Sequence, residues 1–355
     1  MPKFGICGHF GGNKNCADGQ TIKTKILYNE LLRILGIDDL LFLDTYNWKK
    51  KPFKLFMDCV LLIKKSNNII ILPAHNGIKV FAPLFFLLNK LFHKKLHYVV
   101  VGGWLSNMLS KKKWLLKILK HFNTILVETK TMKKNLNEQG LNNVLIFPNF
   151  KHLNILEESE LPQNFTEPYK LCTFSRVSKE KGIEVAIDTV VSINTEKGRT
   201  VYTLDIYGQI DMDYKKSFKK IMDKVPKYIS YKGIVPFDKT IEVLKNYFLL
   251  LFPTYYVGEG FPGTLLDAFS SGLPVLASDW KYNSEIVDDE INGWIYSFLK
   301  TDDLKKKLIY LAENSNEVIA LKKNCILKAK EYTPEKVMKQ LLDNLNIEEV
   351  ECDKK

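Results

Sequence analysis

Short apolar runs rich in β-branched and aromatic residues alternate along the chain with longer stretches whose apolar positions recur at helical spacing. In the first half the runs Phe4–Cys7, Leu40–Leu43, Ile69–Leu72, Tyr98–Val101, Thr124–Val127 and Val144–Phe147 read as strands. Helices are expected near 20–36, 53–66, 78–93, 111–121 and 130–139. Residues 148–168 carry three prolines and an acidic cluster without periodicity, which reads as a linker. The alternation then restarts with strands Lys170–Phe174, Val201–Tyr207, Tyr228–Tyr231, Phe248–Phe252 and Pro274–Ala277. Helices near 180–196, 213–224, 238–246, 263–271 and 283–288 separate them, and a helical tail covers about 302 to 347. The pattern predicts an α/β chain of two parallel-sheet domains. The first spans 1–165 with its linker at 148–168, and the second spans 166–335. A C-terminal helix and tail at 336–355 has the option of packing back on the first domain. Ligands of such sheets bind outside the carboxyl ends of the strands, so a cleft between the domains and the strand-to-helix loops are where chemistry is sought.

The 355 residues, 46% hydrophobic and 26% charged, exclude a disordered, collagen-like or disulfide-dense chain. The most apolar stretch, Val80 to Phe92, is interrupted by Pro83, Asn89 and Lys90 and is too short to span a bilayer. The N-terminus has no apolar core of a signal peptide, so none is expected. Six cysteines lie scattered without C-x-x-C spacing, which points to reduced thiols in a cytoplasm rather than a zinc site. Charge is unevenly divided. Residues 1–165 hold 24 basic and 11 acidic residues, whereas 166–355 hold 28 and 29. Residues 46–120 alone hold 15 lysines against one acid, Asp58, so the two halves are expected to meet different partners.

Three loops are candidates for chemistry. The densest is Gly258-Glu259-Gly260-Phe261-Pro262-Gly263-Thr264-Leu265-Leu266-Asp267, after the strand Phe248–Phe252 and opening a helix. Its glycines permit close approach of a ligand, Pro262 suits a helix start, and the free N–H groups there favour an anion such as phosphate. Asp267, one turn inside, is placed for ribose hydroxyls. The run also matches a G-x-G-x-x-G dinucleotide fingerprint with Asp279 downstream. Against that reading, it follows the fourth strand of its half and would put Glu259 beside a pyrophosphate.

The second loop, Ser175-Arg176-Val177-Ser178-Lys179-Glu180-Lys181-Gly182, follows the first strand of the second half. Only Arg33, Arg176 and Arg199 are arginines among 52 basic residues, so an arginine at a strand end suggests recognition of a multi-oxygen anion. Lys181 is expected in the first turn of a helix, where a cation calls for an anion. Together they read as a pyrophosphate clamp, the alternative being a surface cluster with Glu180 and Glu184. The third loop runs from Gly8 to Thr21, rich in Gly and Asn. Among the histidines, His9 and His75 fall in strand-end loops. No metal-ligand spacing, serine nucleophile elbow or P-loop is present.

With these loops in view, the second half resembles the retaining glycosyltransferases of family 4 (group 1), which have the GT-B fold of two facing Rossmann-like domains. The resemblance rests on FSRVSKEKG at 174–182, LDIYGQ at 204–209, YKGIVP at 231–236, FPTYYVGEGFPGTLLDAFSSGLPVLASD at 252–279 and NSEIVDDEINGW at 283–294. The family's Glu-x7-Glu pattern appears as Glu259 and Asp267. The resemblance implies that Arg176 and Lys181 bind the donor diphosphate and that Glu259 contacts the transferred sugar. It further implies that backbone amides of Gly260 and Phe261 hold sugar and phosphate, with Pro262, Gly263 and Thr264 also on the donor-binding side, that Asp267 binds ribose, and that main chain at Gly233 and Val235 reads the base. Gly19 would touch the diphosphate. The family's histidine after the fourth strand of the first domain is absent from Val101-Gly102-Gly103-Trp104, which leaves His75 as an acceptor-side candidate. The implied reaction needs no metal or other cofactor and uses a nucleotide-sugar, UDP by resemblance, as co-substrate. Asp211-Met212-Asp213 matches a metal-binding Asp-x-Asp in letters only, within an expected surface loop.

The basic stretch 46–120 interleaves lysines with aromatics and leucines, placing Trp48, Phe53, Trp114 and Phe122 near the rim of cationic faces. Such faces suit an anionic leaflet. The expectation is a peripheral enzyme on the cytoplasmic side of a bacterial plasma membrane, acting on a lipid-linked or glycan acceptor in surface polysaccharide or glycolipid synthesis. Alternatives are ordinary solvated lysines, a GT-B sugar-nucleotide epimerase, an NAD-binding Rossmann enzyme, and a nucleic-acid-binding module. The last lacks a recognised motif, and no nucleic acid is expected as partner.

Overall fold

The apolar runs pair as parallel strands in two sheets of six, one in each of two units. The computed structural model describes residues 3–12, 19–300 and 302–345. The first unit contains β1 (Phe4–Gly8), α1 (Gly19–Leu35), β2 (Leu40–Asp44), α2 (Pro52–Lys65), β3 (Asn68–Ile71), α3 (Ile78–Phe92), β4 (Lys95–Val99), α4 (Leu105–Lys111), α5 (Lys113–Leu119), β5 (Thr124–Val127), α6 (Lys130–Asn137) and β6 (Val144–Ile146). Its strand order is β2-β1-β3-β4-β5-β6. Every residue of β1 and β3 is buried, as strands covered by helices on both faces require.

The second unit contains β7 (Tyr169–Phe174), α7 (Ile183–Lys197), β8 (Tyr202–Tyr207), α8 (Lys215–Met222), β9 (Ile229–Gly233), α9 (Thr240–Leu244), β10 (Leu249–Phe252), α10 (Gly263–Ser270), β11 (Val275–Ser278), α11 (Asn283–Ile286), β12 (Gly293–Tyr296), α12 (Asp303–Glu313) and α13 (Ser315–Ala329). Its order, β12-β11-β10-β7-β8-β9, reverses direction between β7 and β10. Such a switch point splays the loops after the two central strands and opens a binding crevice at their carboxyl ends.

Three sequence expectations are corrected here. The segment expected to close the first domain at 165 lies with the second unit from His152 onward. The reason is packing: the Leu156 N–H donates to the Ser270 carbonyl at 2.9 Å, and Leu156 and Leu161 share an apolar cluster with Ile326. The helical tail is three helices rather than one stretch, and the last, α14 (Pro334–Leu345), lies with the first unit, the option expected for residues 336–355. Its Val337, Met338, Leu341 and Leu342 enter a core with Leu27, Leu31, Val99 and Phe147, so the second unit ends at Thr333 rather than 335. Strand β12, which a four-residue GWIY run did not signal, completes the second sheet.

β4 begins at Lys95, three residues before the expected Tyr98, because a histidine is accommodated inside the sheet. His97 is 2% exposed, with Nδ1 2.7 Å from Thr124 Oγ1 on β5 and Nε2 3.3 Å from Asn68 Oδ1 on β3. Burial first, then the nearby Lys95 charge, push its pKa down to about 4. The folded chain therefore keeps His97 neutral where the unfolded chain, at about 6.5, binds a proton. Stability is lost as pH falls below 6.5, amounting to about 2 kcal/mol by pH 5. Urea unfolding between pH 7 and 5 should show this slope, and His97→Gln should flatten it.

Candidate active site

The loops after β7 and β10 meet at the switch point, and a lysine and a glutamate close the junction. Lys181 ends a 3₁₀ turn, Lys179–Lys181, immediately before α7; it is not inside the helix as expected. Its Nζ lies 2.6 Å from Glu259 Oε2, with the two side chains only 11% and 8% exposed. The close approach depends on Gly182, at φ +72°, where a Cβ would fall 2.0 Å from the Pro253 carbonyl oxygen. An alanine would separate the two loops. Gly208, at φ +132°, fits against the Ser175 carbonyl in the same way. These two glycines, rather than Gly258 in the dense run, hold positive φ beside the site.

Glu259 has a second partner that sequence reading missed. Thr254 is fully buried, and its Oγ1 donates to Glu259 Oε2 at 2.8 Å. Ser278 Oγ donates to the Thr254 carbonyl at 2.6 Å, and Asn283 Nδ2 to the Ser278 carbonyl at 3.1 Å. A chain of buried side chains thus orients the carboxylate. The only sequence signal was a threonine two residues past a strand end, five before a glutamate.

Arg176 is half exposed at the end of β7, its Nε 3.6 Å from Asp211 Oδ2. The alternative surface cluster with Glu180 and Glu184 is not seen around it among the described residues: Glu184 accepts from the Tyr214 hydroxyl at 2.7 Å, and Lys181 pairs with Glu259. The Asp211 of the Asp-Met-Asp run, expected only as surface loop, is therefore part of the Arg176 environment. Tyr256 stands between the two cations, its ring centroid 5.8 Å from the Arg176 guanidinium and 5.4 Å from Lys181 Nζ. The Trp280 indole N–H holds the Tyr256 carbonyl at 2.8 Å.

Gly260 and Phe261 are buried, and the Phe261 ring meets Tyr332 edge-on at 4.9 Å. Pro262 caps α10 and Gly263 is its first residue. Thr264 Oγ1 donates to the Phe174 carbonyl at 2.6 Å, so this side chain ties α10 to the end of β7. At the other end of α10, buried Lys322 donates to the Gly272 carbonyl at 3.3 Å and to the Tyr247 carbonyl at 3.4 Å. Burial pushes its pKa down to about 8. Asp267, half-buried, lines a small cavity with His152, Asn154, Phe237 and Thr240. Gly233 ends β9 at φ +80° and accepts the Gly208 N–H at 2.8 Å, and Val235 follows half-buried.

In the first unit, Gly19 opens α1, exposed, while loop residues 13–18 lie outside the described residues. His9 Nδ1 lies 2.7 Å from Thr21 Oγ1. His75 is exposed after β3, its ring edge-on to Trp104 at 5.2 Å, so the loop that lacks the histidine supplies the aromatic against which His75 rests.

The Lys181–Glu259 contact is testable as a coupled pair. Lys181→Met and Glu259→Gln should each cost about 3 kcal/mol in urea unfolding, by leaving the other group buried and unpaired. The double variant should cost clearly less than the sum, and additivity would show the two groups to be independent.

Residues 154–332, half of the chain, match the family model described as glycosyl transferases group 1. An uncharacterized glycosyltransferase of Methanocaldococcus jannaschii is 27% identical over 161 residues, 45% of this chain and 40% of that protein. The GtfA subunit of the UDP-N-acetylglucosamine–peptide N-acetylglucosaminyltransferase of Streptococcus gordonii is 30% identical over 141 residues, 39% of this chain and 26% of that subunit. These matches span two fifths or less of the relatives' own length. The crystal structure of HepE of Anabaena in complex with UDP-glucose superposes with a TM-score of 0.75 at 13% identity, covering 98% of this chain and 100% of that one. The fold is thus that of the GT-B glycosyltransferases, and the chain belongs to the group 1 glycosyltransferase family.

Proposed function

We propose that the chain is a retaining glycosyltransferase of family 4 that moves a sugar from a nucleotide donor, UDP-linked, to a lipid-linked or glycan acceptor. The observation that carries this reading is the pairing of Lys181 with Glu259, beside Arg176, at the switch point of the second sheet. UDP is the carrier named for the GtfA subunit's enzyme and bound in the HepE complex.

In this mechanism the donor diphosphate enters beside Arg176 and Lys181 and draws Lys181 away from Glu259. The carboxylate, still held by Thr254, then accepts hydroxyls of the transferred sugar. Backbone N–H groups at the start of α10 receive phosphate oxygens, and the helix dipole favours the charge. As the bond from the anomeric carbon to the diphosphate breaks, its electron pair leaves on phosphate oxygen, where the two cations and α10 stabilise it. The acceptor oxygen bonds to the same face of the sugar, and its proton passes to the departing phosphate. These cations and amides supply the charge stabilisation that a metal would otherwise provide. Asp267 holds the ribose, and main chain at Gly233 and Val235 meets the base. The dinucleotide reading is disfavoured because the Gly-rich run follows β10, the fourth strand of its unit, and its Glu259 is committed to Lys181. The lysine-rich first unit fits work at the cytoplasmic face of a bacterial plasma membrane, in surface polysaccharide or glycolipid synthesis.

A thermal-shift series with UDP-, GDP-, ADP- and dTDP-sugars should show stabilisation by the UDP compounds. Incubation with the donor alone, then with lipid extract, separates a transferase from an epimerase. Arg176→Ala should weaken UDP-sugar binding at least about tenfold, as expected for loss of a charge-assisted contact; unchanged affinity and turnover would sink the clamp. Thr254→Val should lower kcat roughly tenfold with donor affinity little changed, and Thr254→Ser should restore it.

A further inference from the structure

The first unit carries an exposed apolar surface that the donor chemistry does not use. Among the described residues, large exposed hydrophobics gather on three neighbouring helices, with α3 packed against both α2 and α5. On α2, Leu55, Cys59, Leu62 and Ile63 face the core, while Phe53 (77% exposed), Phe56, Met57 and Leu61 form a second stripe at helical spacing turned to solvent. On α3, Val80, Leu87 and Leu91 (75% exposed) repeat the arrangement, and Trp114 of α5 is 45% exposed. Two of the rim aromatics expected from sequence are not available: Phe122 is buried, and half-buried Trp48 stacks edge-on against Phe81. A contiguous exposed apolar stripe of this kind marks an interaction surface.

The surrounding charge identifies that partner. Exposed lysines border the stripes, including Lys54, Lys64 and Lys65 on α2, Lys90 on α3, and Lys113 and Lys117 on α5. Asp58 is the sole acid in residues 46–120. A second copy of the chain would set lysines against lysines, and a nucleic acid would leave the apolar side chains unmatched. An anionic bilayer satisfies both, with phosphates for the lysines and the upper acyl chains for the stripes. We propose that α2, α3 and α5 form an interfacial docking face that inserts Phe53, Phe56, Met57, Leu61, Leu87 and Leu91 into an anionic membrane. This rests on the membrane-side reading of the function and is independent of the donor assignment. It goes further by making the attachment hydrophobic as well as electrostatic, which suits an acceptor whose lipid anchor stays in the bilayer.

The test is flotation of the full chain with vesicles of phosphatidylcholine alone or with phosphatidylglycerol, at low salt and at about 0.5 M salt, where surface charges are screened within a few ångströms. Binding should require phosphatidylglycerol, and a fraction should persist at high salt. Brominated acyl chains should quench tryptophan fluorescence, with Trp114→Phe removing part of the quenching. The triple variant Phe53→Ser, Leu61→Ser, Leu91→Ser should bind roughly tenfold less at high salt. Its melting temperature and its thermal shift with UDP should be those of the unaltered chain, which separates this proposal from a failure of the donor reading. Equal high-salt binding by the triple variant would overturn it. So would absence of vesicle binding, including the case in which the same three substitutions instead break a dimer or a complex with another protein.

Discussion

The site is organised by one buried ion pair. Lys181 and Glu259 come from loops 78 residues apart in sequence, and their contact is made at the reversal point of the sheet, where the two strand ends diverge. Taking both charges out of water is costly, and the cost is offset only when geometry and extra hydrogen bonds are good. Here the second bond comes from Thr254, and the aromatic faces of Phe252 and Tyr256 flank the ammonium at 5.6 and 5.4 Å. Gly182 permits the approach by having no Cβ. A ligand that brings its own negative charge to Lys181 replaces one anion with another, so the lysine never faces burial unpaired. The same exchange releases a preoriented carboxylate. The ion pair therefore leaves the junction neutral overall, and under the proposed mechanism an anionic ligand would open it.

The helix α10, which opens the proposed anion site, is held by contacts at both of its ends. Thr264 ties the first turn to β7, and Lys322 gathers the carbonyls of Gly272 and Tyr247 beyond the last turn. A helix only eight residues long contributes little stability of its own. Its orientation comes from these polar anchors and from packing on α13. Amides that must point at a developing charge without reorganising benefit from such anchoring.

Much of this was legible in the chain. The near-continuous apolar strands of both units and the order of loops pointed to the two parallel sheets, because buried strands leave a strong signal. Arg176, Lys181 and Glu259 could be singled out because glycines and charges gathered at strand ends add little to packing, and the fold brings their loops together. Three features were hidden for physical reasons. The ownership of residues 152–168 depends on tertiary packing of Leu156 and Leu161, which no local pattern encodes, whereas the return of the C-terminal helix to the first unit was an option the chain itself offered. β4 was displaced because His97 in a strand reads as polar unless its partners on both neighbouring strands are known. Thr254 and Asp211 were missed because a hydrogen bond or ion pair set by the folded loops has no spacing to detect.

Lysine shows the limit most clearly, since the chain uses it almost to the exclusion of arginine. Lys181 is paired with a carboxylate, Lys322 is buried against carbonyls and the Phe165 ring, and Lys54 or Lys113 stands exposed beside an apolar stripe. The residue is the same in each case, but its surroundings assign different work. A carboxylate beside a flexible ammonium makes an exchangeable contact, and carbonyls around it make a structural one. An exposed row of ammonium groups makes a surface that attracts anions without fixing their geometry. Arg176 is the exception at the site, where a planar fork can hold two phosphate oxygens at once. The difference lies in the surroundings: Arg176 stands at a strand end beside Asp211, Lys181 is held on Glu259, and the exposed lysines of the first unit ride on helices beside apolar side chains.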